Sequence, residues 1–142
     1  MTGHLVPLGR WPSPIEPAPR LSSALGRAIW FKREDLAGPA LGGNKIRQLE
    51  WLLGAALAEG ADAVLTTAAA QSNFCRALAG TAAKLGLACT LVLRGPPPPC
   101  QGNLLLDRLF GAEIRFVAAA DPWHPRLVAA LDEAAASLRA RG

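Results

Sequence analysis

Between Ala63 and Val117 short apolar runs alternate with longer segments whose apolar residues recur at helical spacing, and this alternation most restricts the fold. The runs are Ala63–Thr67, Ala88–Leu93 and Glu113–Val117, and helices are predicted over Asn44–Glu59, Ser72–Leu85, Gly102–Phe110 and about Pro122–Arg139. A further short strand is expected near Ala28–Lys32. Short apolar strands separated by helices argue for a parallel sheet buried on both sides. The expected architecture is a doubly wound α/β core, with helices on both faces of the sheet. Residues 1–20 hold Pro7, Pro12, Pro14, Pro17 and Pro19 and read as a proline-rich arm, packed along a surface or loose. Residues 21–142 form the α/β unit, with a stiff turn at Gly95-Pro96-Pro97-Pro98-Pro99.

The 142 residues suffice for one domain with a real core. Hydrophobic residues make up 51% and mean hydropathy is +0.21, which suits an apolar face meant for another domain or subunit, although alanine supplies much of it. Glu59, Asp62 and Arg76 interrupt the most apolar region, so no membrane span is expected. The start, Met1-Thr2-Gly3-His4, lacks the basic and apolar regions of a secretory signal, and the chain reads as cytoplasmic. The net charge of +4 is scattered over Arg10, Arg20, Arg27, Lys32, Arg76, Arg108 and others, with no dense stripe for nucleic acid. Trp11, Trp30, Trp51 and Trp123 read as core or interface anchors. Cys75, Cys89 and Cys100 form no C-x-x-C pair, and His4 and His124 have no ligand-like spacing, so neither a disulfide framework nor a metal is assigned.

Chemistry concentrates at two turns. In Leu41-Gly42-Gly43-Asn44-Lys45 two glycines permit positive φ or close approach to a flat ligand, and Lys45 stands at a helix start. An amine so placed can form a Schiff base with a carbonyl cofactor. Equally, Gly-Gly-Asn can be a turn and N-cap, with Lys45 a solvated side chain. The second turn, Gln71-Ser72-Asn73, follows a strand and opens a helix, where backbone N–H groups favour a carboxylate. Ser72 can serve there as a simple cap. Gly38 to Lys45 resembles a phosphate loop only superficially, because Asn44 follows Gly43 and no Ser or Thr follows Lys45 for magnesium.

Taken in order and spacing, Phe31-Lys32-Arg33-Glu34-Asp35, Gly42-Gly43-Asn44-Lys45 with Arg47 and Leu49-Glu50, Glu59-Gly60-Ala61-Asp62, Gln71-Ser72-Asn73 and Ala82-Ala83-Lys84-Leu85-Gly86 carry a resemblance. They resemble the 1-aminocyclopropane-1-carboxylate deaminase and D-cysteine desulfhydrase family of pyridoxal-phosphate enzymes, which has a tryptophan synthase β-like fold. The likeness runs from about Ile15 to Val117 and covers only the N-terminal half of a two-domain fold. It implies that Lys45 holds pyridoxal 5'-phosphate and shuttles the substrate proton, and that Asn73 hydrogen-bonds the cofactor's phenolic oxygen. It further implies that Gln71, Ser72 and Asn73 receive a small amino-acid substrate, with Ser72 a second catalytic candidate. The implied activity is a lyase or deaminase reaction. The loop for the cofactor phosphate and the partner of its ring nitrogen have no candidate in this chain.

The sequence departs from the family pattern at Ala68-Ala69-Ala70, which adds methyl groups before Gln71, and at Phe74, where a polar residue is common. Two readings follow: an enzyme completed by a homodimer or a complementary C-terminal half, and an inactive remnant or binding module of the same fold. A third, an unrelated small α/β domain, must treat the ordered matches as accidents.

Overall fold

The structure, a computed structural model, describes residues 3–141. Met1 and Thr2, which begin the segment read for a leader, and the final Gly142 lie outside the described residues. Strand β1 (Ile15–Pro17) pairs antiparallel with β2 (Trp30–Lys32), and helix α1 (Pro19–Leu25) connects them. A 3-10 turn at Glu34–Leu36 leads to α2 (Lys45–Ala58), β3 (Ala63–Ala69), α3 (Asn73–Leu85), β4 (Ala88–Arg94), α4 (Asn103–Leu109), β5 (Glu113–Val117) and α5 (Pro125–Arg139). The last three strands form a parallel sheet in the order β3-β4-β5, with Val64 opposite Cys89 and Leu91 opposite Ile114.

Strand β4 shows why this sheet needs helices on both faces. Cys89, Leu91 and Leu93 point into a core with Ile46, Leu49 and Leu53 of α2, Ala77, Leu78 and Ala82 of α3, and Leu104 of α4. Val92 points the other way, against Leu127 and Ala134 of α5. Leu91, Val92 and Leu93 are all completely buried, so a polar side chain at any of them would be stranded without water. This is the doubly wound parallel arrangement that the alternation predicts.

The proline-rich arm is tied down by one carboxylate. Glu50, buried on α2, accepts from Leu8 N at 3.0 Å, Gly9 N at 2.9 Å and Trp11 Nε1 at 2.9 Å. Burial opposes the charged form, but donors from Gly9, Trp11 and Leu8 outweigh it and hold the Glu50 carboxyl below its ordinary range. Gly54, one turn further along α2, leaves room for the arm: a Cβ there would lie 2.1 Å from His4 O.

Three details differ from the sequence reading. Helix α1 runs through the boundary at residue 20, because the arm ends in a strand and a helix started by Pro19. Helix α5 starts at Pro125 rather than Pro122, since His124 Nδ1 accepts from Arg126 N at 3.2 Å and caps it there. Of the four tryptophans, read as core or interface anchors, Trp11 alone packs against the core, with the Arg47 guanidinium 3.7 Å above its ring; Trp30, Trp51 and Trp123 are exposed, where the interface half of that reading applies, and the Trp51 ring lies against Gly3.

Candidate active site

Lys45 reaches its position through a left-handed segment. Ala40, Leu41, Gly42 and Gly43 have φ of 52°, 65°, 57° and 99°. Glycine suits the last two, and at Gly42 a Cβ would also lie 2.6 Å from Asp35 O and 2.7 Å from Glu34 O. Ala40 and Leu41 bear a steric cost of roughly 1–2 kcal/mol each. The segment is held by Gly43 N donating to Glu34 O at 2.7 Å and by Arg76 Nη2 donating to Gly42 O at 3.3 Å. Asn44 takes helical backbone angles and makes no capping hydrogen bond, so the helix is entered from Gly43 instead. Lys45 is the first residue of α2 and half-buried; among the described residues its ammonium makes no hydrogen bond or ion pair.

The second turn lies at the carboxyl end of β3, where ligands of such sheets bind. Ser72 has extended backbone and caps α3, its Oγ accepting from Cys75 N at 3.3 Å. That cap uses an oxygen lone pair and leaves the hydroxyl proton to donate elsewhere. Gln71 is engaged at both ends of its amide: Oε1 accepts from Asn103 N at 2.9 Å and Nε2 donates to Gln101 O at 3.0 Å. Asn73 Oδ1 accepts from Asn103 Nδ2 at 3.0 Å, and that same Nδ2 donates to Gln71 O at 2.8 Å. Gln71 and Asn73 are exposed, and Ser72 is half-buried.

Helix α3 joins the two turns. Its Arg76, almost fully buried, reaches the carbonyl of Gly42, and its Gly80 lies under Ala40. The lysine loop is thereby packed along the first two turns of the helix that Ser72 caps. Beneath lies Asp107 of α4, fully buried, with neither oxygen hydrogen-bonded among the described residues. Burial pushes its carboxyl up to about 6, and nearby Arg76 only partly offsets this. Cys75 and Cys89 are buried as well, and desolvation pushes their thiols up to about 11 and about 12, which keeps them protonated and inert.

The departures Ala68–Ala70 and Phe74 find structural places. Ala68 and Ala70 pack against the core and only Ala69 is exposed, so two of the three added methyls are used in packing. Phe74 packs against the core too and lines an apolar groove with Leu49, Leu53, Val64 and Leu78, beside the outer edge of β3. Neither this groove nor the cavity between β3 and α5 is lined by Lys45, Gln71, Ser72 or Asn73. The two turns instead form an open shelf.

Sequence reasoning named Lys45, Gln71, Ser72 and Asn73 but missed Asn103, Arg76 and Asp107. Asn103 had a signal, standing first in a helix after Gly102, yet nothing local says that it reaches back to Gln71 and Asn73.

Comparison with known proteins places these features in a family. The sequence profile described as "Pyridoxal-phosphate dependent enzyme" matches residues 6–141. A Pyrococcus abyssi (strain GE5 / Orsay) protein named "Putative 1-aminocyclopropane-1-carboxylate deaminase" is 46% identical over 132 residues, covering 93% of this chain and 39% of its own length. A D-cysteine desulfhydrase of Klebsiella pneumoniae subsp. pneumoniae is 44% identical over 138 residues, 92% of this chain and 40% of its own. The crystal structure of a homologue of 1-aminocyclopropane-1-carboxylate deaminase superposes with a TM-score of 0.85 at 42% identity, over 99% of this chain and 42% of that one. The chain thus spans about two fifths of the length of these relatives.

Proposed function

This chain belongs to the pyridoxal-phosphate-dependent enzyme family, and from that membership we propose that it is the lysine-bearing part of a lyase or deaminase of small amino acids. The observation that carries the reading is the packing of the Lys45 loop along the helix whose first residues are Ser72 and Asn73. The donor set fits the aldehyde and phenol end of pyridoxal phosphate: an amine at Lys45 and an amide N–H at Asn73. Lys45 Nζ holds the cofactor and then moves a proton at the substrate carbon next to the amino group. Asn73 binds the phenolic oxygen. Ser72 Oγ and the start of α3 receive the substrate carboxylate, each charge-assisted hydrogen bond contributing about 1.5–3 kcal/mol. Gln71 supports that turn through Gln101 and Asn103. When bound, the cofactor ring supplies an electron sink for the bond broken at the substrate.

Two substrate chemistries suit this arrangement. A D-cysteine-type substrate loses its β-substituent and is hydrolysed to pyruvate, ammonia and sulfide; a 1-aminocyclopropane-1-carboxylate substrate opens its ring and is hydrolysed by one water to 2-oxobutyrate and ammonia. Residues beyond these two fifths of the relatives' length, on a complementary C-terminal part, hold the cofactor phosphate and ring nitrogen, while a second copy of this chain would only cover its exposed apolar face. The exposed Trp51 and Leu52 beside the apolar groove support such a docking. Free, buried Cys75 and Cys89 suit a reducing cytoplasm.

Titration with pyridoxal phosphate, borohydride trapping and peptide mass analysis tests the reading. Stoichiometric label at Lys45, absent in Lys45→Ala, supports it. Labelling spread over surface lysines would favour the second reading, an inactive remnant or interaction module whose working surface is the groove beside β3.

A further inference from the structure

The Asn73 side chain makes one hydrogen bond among the described residues, and its donor, the Asn103 amide, has a polarity fixed by a second partner. Asn103 Nδ2 lies 2.8 Å from the main-chain carbonyl of Gln71. A carbonyl oxygen can only accept, so the atom of Asn103 facing it must be the amide nitrogen. That same nitrogen lies 3.0 Å from the Asn73 amide, whose facing atom must therefore be the oxygen. The Asn73 nitrogen is turned away from Asn103 and has no other partner among the described residues.

Asn103 is itself rigidly placed. Its backbone N–H donates to Gln71 Oε1 at 2.9 Å, and Gln71 Nε2 donates to Gln101 O at 3.0 Å, so backbone groups fix the polarity of Gln71 as well. Gly102, with φ 59° and ψ −132°, permits this close approach, since a Cβ there would lie 2.6 Å from Gln71 Oε1. Asn103 also stands at the first residue of α4, whose packing against α3 sets its distance from Asn73.

We propose that Asn103 is a positioning residue that locks the Asn73 amide with its nitrogen outward, so that a ligand oxygen over the start of α3 meets a donor and is held ionised. The inference rests on the reading of Asn73 as the partner of the cofactor phenol. It assigns the choice of ionisation state to a residue on another helix that touches no ligand.

The test uses pyridoxal phosphate trapped at Lys45 by borohydride, with phenol ionisation followed by ultraviolet absorbance against pH. Asn103→Asp keeps the shape but cannot donate, so the Asn73 amide turns over and presents its oxygen. The phenol pKa is expected to rise by about one unit. Asn73→Asp keeps the bond from Asn103 Nδ2, presents an oxygen outward, and raises it similarly by an independent route. Combining Asn103→Asp with Asn73→Ala should add nothing to the shift of Asn73→Ala alone. In the ligand-free chain, the Asn73 side-chain amide resonances should move in Asn103→Asp. Lys45 labelling with unchanged phenol titration in Asn103→Asp overturns the proposal. Absence of Lys45 labelling in the parent chain overturns the reading beneath it, and unmoved Asn73 resonances overturn the lock itself.

Discussion

Arg76 Nη2 donates to the carbonyl of Gly42 at 3.3 Å, so the helix capped by Ser72 also holds the loop that delivers Lys45. The two candidate turns are 27 residues apart in sequence between Lys45 and Ser72. One buried guanidinium joins them.

Removing that guanidinium should loosen the lysine loop. Arg76→Met deletes the bond to Gly42 and removes the charge that partly offsets the burial of Asp107, a loss of about 1–3 kcal/mol in urea unfolding. Amide exchange should quicken over residues 40–44 before other loops. Unchanged exchange there would show that the glycine backbone holds itself.

The buried carboxyl of Asp107 makes stability depend on pH. Its folded value is raised to about 6 from an ordinary 3.8, so between these values the folded chain binds more protons than the unfolded one. This contribution therefore favours folding at low pH, falls as pH rises through that window, and levels off above about 6. The full span is on the order of 3 kcal/mol. Asp107→Asn should be more stable than the parent at pH 7, and the difference should vanish near pH 4. Urea melts at four pH values across the window decide it; a constant difference would place the effect elsewhere.

Glu50 should behave in the opposite sense. Its folded value is lowered, so its contribution is present above the ordinary carboxylate range and is lost as pH falls through the folded value. Glu50→Ala leaves Leu8 N, Gly9 N and Trp11 Nε1 without their acceptor and should cost about 2–3 kcal/mol. Trp11 emission should shift to the red and proteolysis should begin within residues 3–12. Retention of the parent emission would mean that packing alone seats the arm.

Gly80 is where a small change should reach the lysine. A Cβ at this position would lie 2.4 Å from the Cβ of Ala40, an impossible contact between atoms without torsional freedom. Gly80→Ala gains up to about 1 kcal/mol of helix propensity but should lose about 1–3 to the clash. Ala40→Gly removes both the clashing atom and the left-handed strain at φ 52°, so it should rescue Gly80→Ala and stabilise the parent by about 1 kcal/mol. Thermal unfolding of the two single variants and the double variant measures this coupling. Purely additive effects would mean that the loop shifts freely.

Local pattern in the sequence was enough for the parallel sheet and its helices. Glu113–Val117 is a strand at the limits read from apolar patterning, and the other core elements differ by a few residues at their ends. Lys45, Ser72 and Asn73 were legible because glycines, a capping residue and a strand-to-helix junction are local signals. Strand β1 had none: Ile15-Glu16-Pro17 is extended because Trp30–Lys32 lies alongside it. The left-handed backbone of Ala40 and Leu41 is likewise imposed from outside, by Gly80 below and Glu34 beside. The polarity of Asn73, the engagement of Gln71 and the protonation of Asp107 arise where α3 and α4 meet. Amides and carboxyls take orientation and charge from whatever donors, acceptors and solvent surround them, and only the packed chain decides which groups those are.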